Sequence, residues 1–248
     1  MLVTGGAKRI GGAISRAFAK AGWHVLIHYN SSADAAEDLA AELESAETVR
    51  ADLSDDDAGV AMVARLAPRL SDWQALINCA SVFEPDDVTA LDPAINRRAM
   101  QINARAPALL AQAYLRHARS KAGRHVVQVT DQKLANPNPD FFSYTMSKHA
   151  LDATIAMLAM GAAREDDRIY GLAPGAILAS HDQSPEEAER SHRMNLLGRR
   201  TTAEEVADAA VFLASGHLAS GLTLYVDSGQ HLLRQERDVI YLAREQAG

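Results

Sequence analysis

Short apolar runs alternate along the chain with longer stretches in which apolar residues recur every three or four positions. The strand-like runs are LVTG near the start, VLIHY (25–29), ETVRA (47–51), ALINC (75–79), HVVQVT (125–130), RIYGLA (168–173) and LTLYV (222–226). Helical patterns lie between them, over 12–21, 33–44, 56–68, about 95–120, 144–164 and 202–214. This alternation predicts an α/β fold of Rossmann type: a doubly wound parallel sheet of about seven strands, with helices on both faces. No repeat or linker interrupts the pattern, so residues 1–248 are expected to form one domain. The stretch 178–200 differs, being polar and charged. It follows a strand's C-terminal end, where ligands of open α/β sheets bind. It reads either as a substrate lid or as a solvated helical excursion.

Composition narrows the options. A chain of 248 residues, 48% apolar, can bury a full core, and its length suits one α/β domain. A net charge of −7 with scattered basic residues speaks against nucleic acid or an anionic membrane as a main partner. The one cysteine, Cys79, allows no disulfide within the chain, which suits a reducing, cytoplasmic compartment. No apolar run approaches the length of a membrane span, and no signal-peptide pattern is visible. No metal site is expected.

Two segments carry candidate chemistry. The first is Thr4-Gly5-Gly6-Ala7-Lys8-Arg9-Ile10-Gly11-Gly12, between an apolar stub and an amphipathic helix closed by Gly22. A strand, a glycine-rich turn and a helix can place a pyrophosphate on a helix N-terminus, where free N–H groups and the helix dipole favour negative charge. The second is Tyr144-x-x-x-Lys148, whose i, i+4 spacing sets both residues on one helix face. An ammonium beside a phenol favours the phenolate, which would make the tyrosine a usable proton donor near neutral pH.

These motifs, with Asn78-Cys79-Ala80-Ser81, Asn103 and Pro174-Gly175, occur in the order seen in short-chain dehydrogenases/reductases, and the whole chain resembles that family. The resemblance implies that Tyr144 donates a proton while Lys148 lowers its pKa and binds the nicotinamide ribose. It implies that Asn103 completes a proton relay and that Asn78, Ala80, Ser81, Pro174, Gly175 and Ile177 lie along the cofactor. A family homotetramer is implied too. The apolar segment ALDATIAMLAMGAA agrees, having little polar surface on any side.

The second strand ends in His28-Tyr29-Asn30-Ser31-Ser32, with no acid before Asp34. An NAD site usually has Asp or Glu there for the ribose 2′-OH. Amide and hydroxyl groups can instead donate to a 2′-phosphate, and Lys8 and Arg9 add positive charge, so the expected cofactor is NADPH. Ser31 or Ser32 can also cap the helix that follows. Asp52 and Leu53 resemble the family's adenine contact, although Asp52 also reads as an ordinary turn aspartate.

Most family members carry serine thirteen residues before the tyrosine, where this chain has Asp131. An ionised aspartate cannot donate to a carbonyl, but a carboxyl group can protonate a ring nitrogen, especially if burial raises its pKa. The other reading is a loop aspartate, with Thr130 in the serine's place. Aspartate here resembles pteridine reductases and the related bacterial dihydromonapterin/dihydrofolate reductases. Lys8-Arg9-Ile10-Gly11 and His28-Tyr29-x-x-Ser32 follow their pattern, as does 227–232. Phe83 stands where those enzymes stack the pterin against the nicotinamide; a plain core role is the other reading. The expected reaction is hydride transfer to a dihydropterin C=N, with Tyr144 and Asp131 supplying the proton. The alternatives are an NADPH-dependent carbonyl reductase of 3-oxoacyl or sugar type, or a cofactor-binding regulatory protein without turnover. The tail from Arg234 onward is either unexplained or reaches a neighbouring subunit.

Overall fold

The computed structural model describes residues 1–180 and 182–245. In chain order the elements are β1 (Leu2–Thr4), α1 (Arg9–Lys20), β2 (Val25–Tyr29), α2 (Ala33–Glu42), β3 (Ala46–Arg50), α3 (Asp56–Leu66), β4 (Ala75–Asn78), α4 (Pro93–Ala99) and α5 (Ala106–His117). They continue with β5 (His125–Val129), α6 (Phe142–Gly161), β6 (Arg168–Pro174), α7 (Pro185–His192), α8 (Ala203–Ala214), β7 (Thr223–Val226) and α9 (Val239–Glu245). The seven strands form one parallel sheet in the order β3-β2-β1-β4-β5-β6-β7.

Helices cover both faces, which is why most of β4 and β2 read as continuous apolar runs. On one face Ile14 and Phe18 of α1, Leu39 of α2 and Val206 and Leu213 of α8 pack on Val3, Ile27 and Ile77. On the other, Met62 and Leu66 of α3, Leu110 and Tyr114 of α5 and Ile155 of α6 pack on Leu2, Leu26 and Leu76. Strand order reverses between β1 and β4, opening a crevice at their C-terminal ends, where ligands of such sheets bind.

Three stretches depart from the periodicity. The helix expected over 95–120 is broken: a π-helical turn at Met100–Arg105 separates α4 from α5. Pro107, in the first turn of α5, stands four residues after Asn103 and has no N–H to give the Asn103 carbonyl. The polar stretch 178–200 folds around α7, which starts with a capping box between Ser184 and Glu187 and buries Ala188, Ser191 and His192. One side of α7 is thus packed, while Pro185, Glu186 and Glu189 stay exposed; His181, within the stretch, lies outside the described residues. The tail forms α9, which packs against α7. The Arg190 Nε donates to the Ala243 carbonyl at 3.2 Å, and Arg244 pairs with Asp182 at 3.0 Å. Residues 246–248 of the tail lie outside the described residues.

Candidate active site

The glycine turn is shaped by crowding. Gly5 has φ +62°, and a Cβ on it would stand 3.0 Å from the Ala80 Cα. A Cβ on Gly11 would come within 2.1 Å of the Gly5 carbonyl. Ser15 ties the turn to α1 by donating to the Gly6 carbonyl at 2.9 Å. Lys8, the N-cap of α1, makes no side-chain cap bond, so the first N–H groups of the helix face the crevice without a side-chain acceptor. Arg9 follows with φ +54°, and its guanidinium donates to the Ala179 carbonyl at 3.3 Å, across the cleft.

His28 is the first sequence expectation to change. Its ring is buried, the Gly5 N–H donates to Nδ1 at 3.1 Å, and Nε2 donates to the Ala51 carbonyl at 3.1 Å. Both nitrogens are thereby used, fixing a neutral tautomer, and burial lowers the group to about 4. His28 holds the glycine turn from beneath and has nothing left for a phosphate. Tyr29, Asn30, Ser31 and Ser32 follow at the end of β2, with Asn30 and Ser31 exposed. Ser32 takes the N-cap position of α2 but makes no side-chain cap bond, so its hydroxyl is free. Arg50, which the sequence reading passed over, lies opposite Tyr29 and donates to the Asn30 carbonyl at 3.3 Å. Asp52 accepts from the backbone and hydroxyl of Ser54, which hold its carboxyl below the usual range. The Leu53 side chain belongs to the core.

Asn78 points away from the cleft. Its amide donates to the Pro107 carbonyl at 3.1 Å and to Gln128 at 2.9 Å, joining β4 to α5 and β5. Thr4 binds the next turn, its hydroxyl accepting from the N–H groups of Cys79 and Ala80 at 3.0 and 3.1 Å. Asn103 has its side chain engaged in structure. Its Oδ1 accepts from the Val82 N–H at 2.8 Å and the Ser81 hydroxyl at 3.1 Å. Its amide donates to the Val82 carbonyl at 2.9 Å and the Ser147 hydroxyl at 3.0 Å. The side chain is used up clamping the turn that carries Phe83, so only its backbone carbonyl remains for a proton relay.

Tyr144, Lys148, Asp131 and Phe83 meet in one cleft of about 490 Å³ with Gly5, Lys8, Arg9, Ile10, Gly11, Ala80, Ser81, Pro174, Gly175 and Ile177. The Tyr144 hydroxyl donates to Asp131 Oδ2 at 2.7 Å, and Asp131 Oδ1 accepts the Lys133 N–H at 2.8 Å. Lys148 donates to the Val129 carbonyl at 2.8 Å. Its Nζ stands 5.5 Å from the centroid of the Tyr144 ring. Burial and the neighbouring Asp131 carboxylate push Tyr144 well above its ordinary value, while burial raises Asp131 and lowers Lys148. The phenol is therefore held protonated. Thr130 is no substitute for a serine here, because its hydroxyl is turned to the Leu172 carbonyl at 3.2 Å. Cys79, in the same wall, is pushed by burial up to about 11 and stays a thiol.

Phe83 is 37% exposed, too open for a plain core residue. It stacks on Phe141 at 4.0 Å between centroids and meets Tyr144 edge-on at 4.7 Å. Phe141 has φ +53° and is backed by Tyr241 of α9 at 6.0 Å. Periodicity carries no signal for Phe141 or Tyr241, because one sits in a strained turn and the other arrives from the far end of the chain. A buried ion pair, Lys133–Asp238 at 2.8 Å, and the paired Arg237 and Asp140 fasten that end beside the site.

Comparison with known proteins agrees with this architecture. The family model described as Enoyl-(Acyl carrier protein) reductase matches residues 5–231. Pteridine reductase 1 of Leishmania tarentolae is 30% identical, the match covering 94% of this chain and 96% of that protein. A dihydromonapterin reductase of Citrobacter koseri is 26% identical over the same shares. Among solved structures, FolM alternative dihydrofolate reductase 1 from Brucella canis, complexed with NADP, is 35% identical with a TM-score of 0.87, covering 96% of this chain and 95% of that one. The Brucella suis protein of the same name, also with NADP, is 34% identical with a TM-score of 0.88, covering 94% and 95%.

Proposed function

The chain belongs to the short-chain dehydrogenase/reductase family, and we propose that it is an NADPH-dependent reductase of a pteridine, acting on a dihydropterin or dihydrofolate-like C=N bond. The hydrogen bond from Tyr144 to Asp131, in a cleft bordered by Phe83, carries this reading. The relatives named pteridine reductase and dihydromonapterin reductase, and the NADP-bound neighbours, support it.

The turn at Gly5 and Gly11 and the uncapped start of α1 fit a pyrophosphate, because a Cβ at either glycine would fill the cradle. Arg9, Asn30, Ser31 and Ser32 supply donors for a 2′-phosphate, with Lys8 and Arg50 adding positive charge. Asp52 bounds the adenosine end, and Lys148 bonds the nicotinamide ribose. Bound NADPH supplies the hydride. Phe83 presents its open face to a flat heterocycle. Asp131 and Tyr144, joined by their hydrogen bond, deliver the proton to the ring nitrogen next to the carbon being reduced. A protonated Asp131 can do this because burial raises its pKa. The Asn103 backbone carbonyl completes the relay. Residues 178–180 and 182–200 form the lid.

Among the described residues no helix is long and apolar enough to cross a membrane. We place the protein in the cytoplasm as one domain, acting as a homotetramer. The methionines that α6 leaves exposed, Met157 and Met160, favour a further subunit on that face. The test is NADPH oxidation with dihydropterins, dihydrofolate and a panel of ketones. Turnover of pterins supports the reading. Turnover of ketones alone would return the protein to ordinary carbonyl reduction.

A further inference from the structure

Phe83 is held in two ways. Asn103 clamps the turn that carries it, bonding the Val82 N–H at 2.8 Å and the Val82 carbonyl at 2.9 Å. The aromatic side chain is set by other rings. Phe83 lies on Phe141 with 4.0 Å between centroids and 22° between planes, and Phe141 lies on Tyr241 at 6.0 Å and 26°. The three rings form a column of nearly parallel planes, whose Phe83 end borders the cleft. Tyr241, at the other end, lies outside the cleft.

The middle of the column is strained. Phe141 stands at the N-cap position of α6 with φ +53° and ψ +52°, in the left-handed region, and is buried. A bulky residue keeps that conformation only where its surroundings enforce it. One neighbouring ring, Phe83, sits at an open edge, so the firmer support has to come from Tyr241. Charge fixes the place of that ring. The Arg237 guanidinium lies 4.8 Å and the Arg244 guanidinium 5.8 Å from its centroid, within cation–π reach. Each is anchored in turn, Arg237 on Asp140 at 2.8 Å, and Arg244 on Asp182 at 3.0 Å and Glu187 at 3.5 Å. Asp140 immediately precedes Phe141, while Asp182 and Glu187 belong to the 178–200 segment. Tyr241 is thus fixed against both the strained turn and the segment around α7.

We propose that Tyr241 is a positioning residue for the substrate: it holds Phe141 in its strained turn and thereby sets the plane of Phe83, on which a flat heterocycle stacks. The strength of a stacked aromatic pair depends on the offset and tilt of the two planes. Clamping the turn at Val82 leaves the Phe83 side chain its own rotamers, and Phe141 selects the one that faces the cleft. Without Tyr241, Phe141 can leave the left-handed region and Phe83 loses its backing. Binding then has to order the Phe83 ring, which lowers affinity without touching the groups that move the proton. Tyr241 works by its ring face, since both guanidinium groups and Phe141 approach the ring.

This inference rests on the pteridine reading of the main cleft. Tyr241→Leu and Tyr241→Gln remove the ring, and Tyr241→Phe keeps it. Each is assayed with NADPH and a 7,8-dihydropterin, alone and combined with Phe83→Ala. KM for the dihydropterin should rise roughly threefold to tenfold in the leucine and glutamine variants, with kcat and NADPH affinity within about twofold of the parent. Tyr241→Phe should match the parent. On the Phe83→Ala background the same substitutions should change KM by less than about twofold, because the ring they act through is gone. A role in stability alone would lower the melting temperature in both backgrounds and leave KM where it was. Thermal melts establish that each variant is folded. A parental KM in the folded leucine and glutamine variants, or effects that multiply undiminished on Phe83→Ala, would overturn the positioning role and leave the pteridine reading intact. A parent that neither reduces nor binds a dihydropterin would overturn both.

Discussion

The Tyr144 hydroxyl donates to Asp131 Oδ2 at 2.7 Å, and the same carboxylate is fixed from its other oxygen by the Lys133 N–H at 2.8 Å. The pair behaves as one proton-holding unit. Tyr144→Phe removes the proton but keeps the ring that packs on Phe83. Turnover should fall by about 10²–10⁴, the usual contribution of a positioned acid, while NADPH affinity stays within about threefold. Stopped-flow hydride transfer and a fluorescence titration with NADPH separate the two effects, and unimpaired turnover would remove Tyr144 from the mechanism.

The rate should also depend on pH through Asp131. Burial raises this carboxyl, so it stays protonated to a higher pH than an ordinary aspartate. Pterin reduction should hold at the acid side and decline as pH rises through the raised pKa. Asp131→Asn cannot lose a proton and should give a slower, flat profile. A parent profile that instead climbs with pH would mean that the ionised carboxylate is the active form.

Gly11→Ala should abolish NADPH binding with little of the fold lost. The added methyl would stand 2.1 Å from the Gly5 carbonyl, which forces the turn to open at the place where a pyrophosphate would sit. Calorimetry with NADPH should show an affinity loss of at least about 100-fold, since the backbone donors at the helix start act only when aligned. Near-parental affinity would place the cofactor elsewhere.

Phe83 and Phe141 stack on one another yet should respond differently to alanine. Phe83 is 37% exposed, whereas Phe141 is buried between it and Tyr241. Phe141→Ala should cost about 3–5 kcal/mol of stability in urea melts. Phe83→Ala should cost far less and raise KM for the pterin, because its open face is available to a ligand. Equal stability losses with unchanged KM would make Phe83 a core residue after all.

How far the sequence reached follows from what kind of signal each feature leaves. The sheet and its flanking helices were legible because burial on both faces writes long apolar runs, and Tyr144, Lys148 and the glycine turn because their spacing is local. What escaped depends on contacts between distant segments. The break at Met100–Arg105 comes from Pro107 and from Asn103 clamping residues 81–82, neither of which a periodic pattern records. Phe141 and Tyr241 enter the site only because Lys133 and Asp140 hold the chain's end in place. His28 resembles a phosphate ligand because it lies near the end of the right strand, but strand alternation turns its ring inward, between the glycine turn and Ala51 just past β3.

That inward turn makes the His28 reading measurable. Its two hydrogen bonds require a neutral ring, with Nδ1 accepting from Gly5 and Nε2 donating to Ala51. Burial, against weaker pulls from the Ala51 carbonyl and Asp52, lowers the folded-state value to about 4, from about 6.5 in the unfolded chain. The unfolded state therefore binds the proton first as pH falls. The stability His28 provides is complete above pH 6.5 and is lost progressively down to about pH 4, where the loss reaches about 3 kcal/mol. Its first structural consequence should be release of the Gly5 turn, so NADPH affinity should weaken over the same interval. Urea melts from pH 7.5 to 4 on the parent and on His28→Gln, which can keep both hydrogen bonds without titrating, isolate this contribution. The parent should lose stability more steeply than the variant. Parallel curves would show that the ring titrates alike in the folded and unfolded chain and that the turn is held by other contacts.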